Sequence, residues 1–387
     1  MKFKKVFINI VLTISSIYIP LFTFSTFDYF LYYVNKESRH TSKELKKSII
    51  SAVNDGYLPV FHPNEHFKKE KIPEIYPIGA LTNTKNYFCD EGYGLIRYKS
   101  DSFGLRNTNK KWENVSKKSN IFLVGDSFVH GACLPDDKLI STYIESSTNQ
   151  NTLSLGMAGN SPYEYMAILK SLVKPIINNS NNSNKVILIF YDNDNLPLNE
   201  KKEKLLSSIK SIIKKPIKNN PSPTINYKNY INSYIKNNYP YSKNEIINRV
   251  KAKRTNFNKK QFLYRVASLF PIRRRIGLTG INSLFLSSKL SKNSPSLNSI
   301  LLLSEICKQK CDPYIAYIPS SSYWDPHPYG EKYKNELEKI SAKFGIPFIN
   351  GEKVIKSNNL KDYAPNGAHL SIDGYKKLAD LISKEIK

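Results

Sequence analysis

The segment IFLVGDS, residues 121–127, decides the fold of this chain. Its first four residues form a short, continuous apolar run, which is typical of a strand buried on both faces of a parallel sheet. Comparable runs lie at 152–155, 186–190, 314–318 and 347–349, with helical segments between them. This alternation predicts a three-layer α/β/α sandwich built on a parallel sheet, because parallel strands need long crossover connections.

Polar residues follow the predicted strands at the points where they end. Ser127 follows the first strand, Gly159 and Asn160 follow the second, and Asn193 follows the third. His369 stands in the loop before the last predicted helix. Because an open parallel sheet binds its ligands at the carboxyl ends of its strands, we expect these residues to converge on one crevice. A serine, a histidine and clustered backbone or amide donors are the parts that an acyl-transfer site requires.

Three blocks of this sequence resemble those of the SGNH/GDSL hydrolase superfamily. They read GDSFVHG at 125–131, LGMAGNSP at 155–162 and NGAHLSIDG at 366–374. The resemblance covers about residues 100–195 and 300–387, and the segment between these ranges lies outside it. It implies a flavodoxin-like sandwich and a serine esterase, or acyl hydrolase, that acts on ester-linked acyl groups and needs no cofactor.

The resemblance also implies the roles of the site residues. Ser127 is expected to be the nucleophile and His369 its general base, since an unassisted hydroxyl is a poor nucleophile and an imidazole exchanges protons near neutral pH. The oxyanion hole is expected to consist of the main-chain N–H groups of Ser127 and Gly159 and the amide of Asn193. Each such donor lowers the barrier by roughly 3 to 4 kcal/mol.

Two departures from the family pattern affect these expectations. Asn366 stands three residues before the histidine, where the family usually carries aspartate. An amide there orients the imidazole but does not stabilise its charged form, so we expect weaker turnover unless Asp362 or another carboxylate substitutes. After the third predicted strand, Asp192 precedes Asn193 where the family has glycine, and a shift of one residue would place Asp194 in the oxyanion position. A carboxylate there would repel the oxyanion.

The N-terminal residues predict a membrane anchor. A long apolar run from Val6 to Val34 follows three lysines. It exceeds the roughly 20 residues that span a bilayer, and no small-x-small cleavage site follows it. We therefore expect residues 1–35 to form a single uncleaved transmembrane helix.

The rest of the chain is interpreted as two regions. Residues 36–115 are read as a polar stalk followed by short strands and turns, and residues 116–387 as the hydrolase-like domain with a basic helical insertion at about 197–295. We expect the hydrolase-like domain on the periplasmic or extracytoplasmic side. The positive-inside rule does not favour this side, because lysines flank both ends of the apolar run, but lysine is abundant throughout the chain.

The four cysteines lack the paired C-x-x-C spacing of a metal site. In an oxidising compartment the pairs Cys89–Cys133 and Cys307–Cys311 are plausible, and four buried thiols are the alternative. His62 and His66 have no clear third ligand, so no metal site is predicted.

The charge of the chain does not by itself indicate a partner. The sequence holds 58 Lys and Arg against 32 Asp and Glu, a formal net charge of +26. Because lysine is spread along the chain and no recognition motif is present, we expect no nucleic-acid partner. The one compact basic cluster, residues 273–275, is either a solvated surface or a contact to anionic lipid or glycan.

The function has two open alternatives to a hydrolase. One is an O-acyltransferase on the same fold, and the other is a catalytically weak glycan-binding envelope protein. The expected substrate is an acylated glycan or lipid. His130 is interpreted as a packing residue behind Ser127, and the aromatic tract 323–327 as an ordinary loop or a wall of the substrate groove.

Overall fold

The computed structural model describes residues 2–60, 78–195, 242–252, 259–269, 272, 294–308, 310–325, 327 and 330–387. It begins with the long helix α1 (Lys2–Thr41), which contains the apolar stretch Val11–Leu31 with a mean hydropathy of 1.3. Of the part of the chain that is described, this helix alone is long and apolar enough to cross a membrane, either as an anchor or as a signal sequence.

One residue, Ser42, separates α1 from the second helix, α2 (Lys43–Asn54). It buries Ala52 and Val53 in a small core that also contains Tyr87 and Ile246. The segment interpreted as a polar stalk therefore includes a helix that packs against later parts of the chain.

A small sheet follows α2. It consists of β1 (Leu58–Pro59), β2 (Lys85–Tyr87) and β3 (Arg97–Lys99), with β1 parallel to β2 and β2 antiparallel to β3. The antiparallel pair forms a hairpin, and main-chain hydrogen bonds between residues 88–89 and residue 96 extend it beyond the strands. This hairpin lies outside the larger sheet and carries a loop at residues 90–95.

The larger sheet has five parallel strands, as predicted. They are β4 (Asn120–Val124), β5 (Asn151–Ser154), β6 (Asn184–Tyr191), β7 (Asp312–Ile318) and β8 (Phe348–Asn350). Their order across the sheet is β5-β4-β6-β7-β8, and every neighbouring pair is parallel. The predicted α/β class is therefore confirmed.

Helices connect these strands and flank the sheet. In chain order the described ones are α3 (Asn109–Asn114), α4 (Ser127–His130), α5 (Ile140–Thr148), α6 (Pro162–Ile168), α7 (Lys174–Asn178), α8 (Lys243–Ala252), α9 (Lys259–Ala267), α10 (Pro295–Cys307), α11 (Gly330–Lys343) and α12 (Ile372–Glu385).

Strand β4 shows why its sequence is apolar without alternation. Successive side chains of a strand point to opposite faces of the sheet. Phe122 and Val124 lie in the core that includes residues of α6 and α10, whereas Ile121 and Leu123 lie in the core that includes residues of α5 and α12. All four side chains are fully buried, since both faces of the sheet are covered.

Two described helices of the predicted insertion pack on the N-terminal helices. Helix α8 contributes Ile246 to the core beside α2. Helix α9 lies along α1, where the rings of Phe262 and Tyr29 are 5.3 Å apart and the Tyr18 hydroxyl donates to the Ala267 carbonyl at 2.8 Å. Residues 197–241 of the predicted insertion and the basic cluster Arg273–Arg275 lie outside the described residues.

Candidate active site

Three polar side chains form a continuous hydrogen-bonded chain at the carboxyl end of β4. Ser127 is the first residue of α4, and His369 lies just before α12. Nε2 of His369 is 2.9 Å from Oγ of Ser127, and Nδ1 of the same ring is 3.0 Å from Oε1 of Glu91. This is the arrangement of nucleophile, base and orienting acid that activates a serine hydroxyl.

Glu91 is the carboxylate that sequence reasoning missed. It lies in the hairpin loop between β2 and β3, more than thirty positions before the first block that resembles the family. Its side chain is only 10% exposed, and its other oxygen, Oε2, accepts from the main-chain N–H of His369 at 3.3 Å. The cysteines are the one signal for Glu91 in the sequence. Cys89 stands two residues before Glu91 and Cys133 six residues after Ser127, so a disulfide between them would bring Glu91 near Ser127.

The expectation that Asn366 orients the imidazole is wrong. Nδ1 of His369 faces Glu91, and the main-chain N–H of Asn366 donates to the Glu91 carbonyl at 3.0 Å. Asp362 does not substitute either, since its carboxylate accepts from Nζ of Lys377 at 2.6 Å and from the main-chain N–H of Lys356 at 2.9 Å. The acid comes from a different segment of the chain.

The pKa of His369 is raised above its usual value. Burial acts to lower the pKa by disfavouring the charged imidazole, but the Glu91 carboxylate outweighs it through its charge and its hydrogen bond. Asp126 and Asp325 add smaller effects in the same direction. The neighbouring acids therefore stabilise the protonated form of the imidazole.

The turn that carries Ser127 is fixed by its neighbours. The Asp126 carboxylate accepts from the main-chain N–H of Phe128 at 3.0 Å and so caps the short helix α4. Gly156 lets the loop after β5 approach this turn, because a Cβ at that position would lie 2.7 Å from both the Asp126 carbonyl and the His130 nitrogen. The two loops thus pack with their backbones in contact.

Gly159 lines the same cavity as Ser127 and His369. Its φ of +82° lies in the left-handed region that favours glycine, and no described atom lies within 4 Å of a Cβ built there. This is the place where the resemblance puts one donor of the oxyanion hole.

Asn193 does not reach this cavity in the structure. It is exposed on the turn Asp192–Asn195, and it is absent from the described residues that line the cavity. Its neighbours are buried instead. Asp194 accepts from the Tyr165 hydroxyl at 3.1 Å and from the main-chain N–H of Tyr191 at 3.0 Å. The shifted alignment fails as well, because these bonds hold the Asp194 carboxylate in a structural position.

The cavity beside Ser127 has a volume of about 610 Å³, within the range of pockets that take small organic ligands. Its walls come mostly from segments outside the large sheet, including α2, the small sheet and α8. Apolar side chains dominate these walls, among them Leu45, Ile49, Val60, Phe88, Leu95 and Val250. Among the residues that the structure describes, Lys46 and Asp90 are the charged ones that line it besides Glu91 and His369.

The structure contains the two disulfides Cys89–Cys133 and Cys307–Cys311, with Cα atoms 4.9 Å and 4.5 Å apart. One group of described side chains has the spacing of a metal site, since ligand atoms of Glu91, Cys133 and His369 lie within 4.8 Å of one another. The sulfur is bonded to Cys89, however, and the other two side chains bond each other. His62 and His66 lie outside the described residues.

His130 connects the hairpin to the Gly159 loop. The main-chain N–H of Ala158 donates to Nδ1 of His130 at 3.2 Å, and Nε2 is 2.9 Å from the Tyr98 hydroxyl. Since Nδ1 accepts, the ring proton is on Nε2 and is donated to Tyr98. The fully buried His130 therefore holds the residue next to Gly159.

The aromatic tract 323–327 packs rather than lining the cavity. Trp324 is only 8% exposed, and the Tyr323 ring contacts it edge-on. Nε2 of His327 is 3.1 Å from the Asp325 carboxylate, which is also 3.3 Å from the Tyr191 hydroxyl. Pro326 lies outside the described residues.

No protein-family model matches the chain. A SprT-like protein of Streptococcus mutans serotype c (strain ATCC 700610 / UA159) is 29% identical over 77 residues, which are 19% of this chain and 53% of that protein. The chain therefore matches only about half the length of this curated relative.

Among solved structures, a protein of Slackia heliotrinireducens assigned to the SGNH hydrolases covers 70% of this chain with all of its own length, at 9% identity and a TM-score of 0.37. A Desulfitobacterium hafniense DCB-2 protein assigned to the G-D-S-L lipolytic family covers 69% with 98% of its length, at 10% identity and a TM-score of 0.34. A carbohydrate acetylesterase family member of Sinorhizobium meliloti covers 69% with 97% of its length, at 7% identity and a TM-score of 0.32. The chain is thus similar to solved structures that carry the names SGNH and GDSL hydrolase, the superfamily that its three sequence blocks resemble.

Proposed function

We propose that this protein is a membrane-anchored serine esterase that hydrolyses ester-linked acyl groups. Ser127 is the nucleophile, His369 the general base and acid, and Glu91 the carboxylate that orients the imidazole. The observation that carries the proposal is the chain of contacts from Ser127 Oγ through both ring nitrogens of His369 to Glu91 Oε1, at 2.9 Å and 3.0 Å.

The first half of the reaction acylates Ser127. Its hydroxyl proton passes to Nε2 of His369 while Oγ forms a bond to the ester carbonyl carbon, and the carbonyl electron pair moves onto oxygen. The resulting oxyanion is stabilised by the main-chain N–H groups of Ser127 and Gly159. When the oxyanion collapses, the bond to the alkoxide breaks and Nε2 returns its proton to that alkoxide.

The second half releases the acyl group. A water molecule gives a proton to Nε2 as its oxygen attacks the acyl carbon, and Ser127 then leaves and takes the proton back. Ester and water have become acid and alcohol, and the enzyme is unchanged. Throughout both halves the negative Glu91 carboxylate faces Nδ1 and stabilises the positive charge that the imidazole carries.

Glu91 also weakens the case for a binding protein without activity. That alternative rested on the neutral Asn366 as the partner of the histidine and on the departure from the family pattern around Asn193. A carboxylate at hydrogen-bonding distance from Nδ1 supplies the charge that an amide lacks, so ordinary turnover is expected.

We further propose that the hydrolase-like domain faces an oxidising compartment outside the cytoplasm. Two disulfides support this side, because cytosolic proteins rarely retain them. The apolar stretch Val11–Leu31 would hold the protein at the membrane, next to acylated envelope glycans or lipids. The mostly apolar cavity is suited to the acyl part of such a substrate.

Labelling with a fluorophosphonate probe tests the nucleophile, with Ser146→Ala as a matched control on the exposed side of α5. We expect wild type and Ser146→Ala to be labelled and to hydrolyse a p-nitrophenyl ester, and Ser127→Ala to do neither. Equal labelling of Ser127→Ala, or no labelling of wild type, would contradict the proposal. Product analysis with an added glycan separates hydrolysis from transfer, since transfer leaves the acyl group on the glycan instead of as free acid.

A further inference from the structure

Glu91, the carboxylate of the candidate site, lies on a segment that is not part of the α/β sandwich. Glu91 stands in the loop of the β2–β3 hairpin, whereas Ser127 and His369 stand on loops of the large sheet. The contact between Glu91 and His369 joins residues 278 positions apart in the chain. The position of the carboxylate therefore depends on what holds the hairpin loop against the sheet.

Hydrogen bonds shape the loop itself. Oδ1 of Asp90 accepts from the main-chain N–H groups of Gly92 and Gly94 at 2.8 Å and 3.1 Å. These bonds lie within the loop, so they fix its conformation but not its distance from Ser127.

A disulfide links the hairpin, just before its loop, to the segment that follows α4. Cys89, two residues before Glu91, is joined to Cys133, which lies in the segment immediately after α4. Cys133 is 2% exposed, and its sulfur lies within 4.8 Å of ligand atoms of both Glu91 and His369. Hydrogen bonds with the segment that contains Asn366 and His369 also connect Glu91 to the large sheet.

We propose that the Cys89–Cys133 disulfide is a positioning element of the active site, which keeps the Glu91 carboxylate on the imidazole of His369. This inference rests on the proposed function. Without the covalent tie the hairpin loop is held by non-covalent contacts, among them hydrogen bonds and the packing of Tyr93 on the core beside α12, and Glu91 spends part of its time away from Nδ1. Misplacement of an orienting group by about 1 Å costs on the order of 100-fold in rate.

The second disulfide provides a matched control. Cys307–Cys311 closes a short loop between α10 and β7, on the opposite side of the sheet from α4 and α12. Its loss should lower stability without changing the active site. Both pairs can be replaced by serine, giving C89S/C133S and C307S/C311S.

The expected result is a loss of kcat on the order of 10- to 100-fold in C89S/C133S, with KM changed much less, and kcat near wild type in C307S/C311S. A shift in the acid limb of the pH profile of kcat/KM distinguishes displacement of Glu91 from a general loosening of the fold. Glu91 raises the pKa of His369, and the other charged groups that face the ring, Asp126 and Asp325, remain in place in the variant. The inflection should therefore move to lower pH in C89S/C133S, in the same direction as in E91Q.

A double-mutant cycle makes the assignment to Glu91 direct. If the disulfide acts through the carboxylate, removing it from E91Q should have little further effect on kcat, because the group that it positions is already absent. Independent, multiplying losses would overturn the proposal. So would wild-type kcat and an unshifted acid limb in C89S/C133S.

If C89S/C133S does not fold, reduction of folded C307S/C311S by a dithiol supplies the same comparison. The dithiol is oxidised to its disulfide while Cys89 and Cys133 become thiols, and thiol titration follows the reaction. Activity should fall as the thiols appear, and unchanged activity after complete reduction would overturn the proposal. The proposed function fails separately, if wild type itself neither reacts with the fluorophosphonate nor hydrolyses an ester.

Discussion

Gly367 lies so close to Glu91 that a Cβ atom at position 367 would be 1.7 Å from Cδ of the carboxyl group. The backbone next to His369 thus passes directly over the Glu91 carboxylate that contacts its ring. Any side chain at this position has to displace the carboxylate or the loop that carries it.

Gly367→Ala should therefore lower kcat by on the order of 10- to 100-fold, because the added methyl group moves Glu91 away from Nδ1. Steady-state kinetics of the ester substrate measures the effect. In the E91Q background the same substitution should add much less, and a full additional loss there would show that Gly367 acts on something other than the acid.

Glu91→Gln keeps the shape of the side chain and removes its charge. We expect kcat to fall by on the order of 10³- to 10⁴-fold, as when the acid of a serine triad becomes an amide. The pH dependence has a definite sign. Glu91 raises the pKa of His369, and the base works only as the neutral imidazole, so activity appears above that raised pKa. Removing the charge lowers the pKa, and the acid limb of kcat/KM should move to lower pH.

Asn366→Ala is the control for this prediction. Asn366 donates to the Glu91 carbonyl through its main-chain N–H, which alanine retains. Activity should stay within about threefold of wild type, the size of effect usual for a replacement away from the reacting groups. A loss as large as that of Glu91→Gln would restore Asn366 as the partner of the histidine.

His130→Phe should reduce kcat through the Gly159 loop. The partly buried Ala158 N–H would lose its acceptor, and the loop would relax. His130→Gln offers an acceptor in the same region and should recover part of the rate. Measuring kcat beside the melting temperature separates the two roles, since a purely structural effect would lower the melting temperature and leave kcat of the folded enzyme unchanged.

Asn193→Ala should leave kcat within about twofold of wild type, because the side chain is exposed and outside the cavity. Gly159→Ala, by contrast, should lower kcat, since the φ of +82° at position 159 is strained for any residue with a Cβ. A loss of 100-fold or more in Asn193→Ala would return this amide to the oxyanion hole.

The sequence predicted those features of the fold that depend on neighbouring residues in the chain. Residues 121–124 are apolar without alternation because both faces of β4 are buried, and this marks a parallel sheet from the sequence alone. Ser127 directly follows a predicted strand, and His369 shortly precedes a predicted helix. The rule that ligand sites lie at the carboxyl ends of parallel strands therefore predicted from the sequence that the two side chains lie close together. The structure places them 2.9 Å apart.

Glu91 could not be found in that way. It belongs to a hairpin whose strands have three residues each, too short to show a period, and its contact with His369 spans 278 positions. The prediction for Asn193 was wrong for a different reason. Asn193 does stand at the end of a strand, as Ser127 does, but its side chain does not point into the cavity. The turn Asp192–Asn195 buries its two aspartates against Tyr317 and Tyr165, and this leaves the amide facing solvent. A pattern of residue types does not determine which side chains of a tight turn point inward.

The disulfide between Cys89 and Cys133 closes a covalent ring of the chain, and Glu91 and Ser127 both lie inside it. His369 lies outside, 242 positions beyond Ser127. Contacts between such distant parts of a chain form late in folding, after the loop-closure entropy has been overcome. The ring can therefore close early and hold the acid and the nucleophile while the base is still absent. During refolding, enzymatic activity should recover after the secondary structure, which makes the appearance of activity a measure of the last step of assembly.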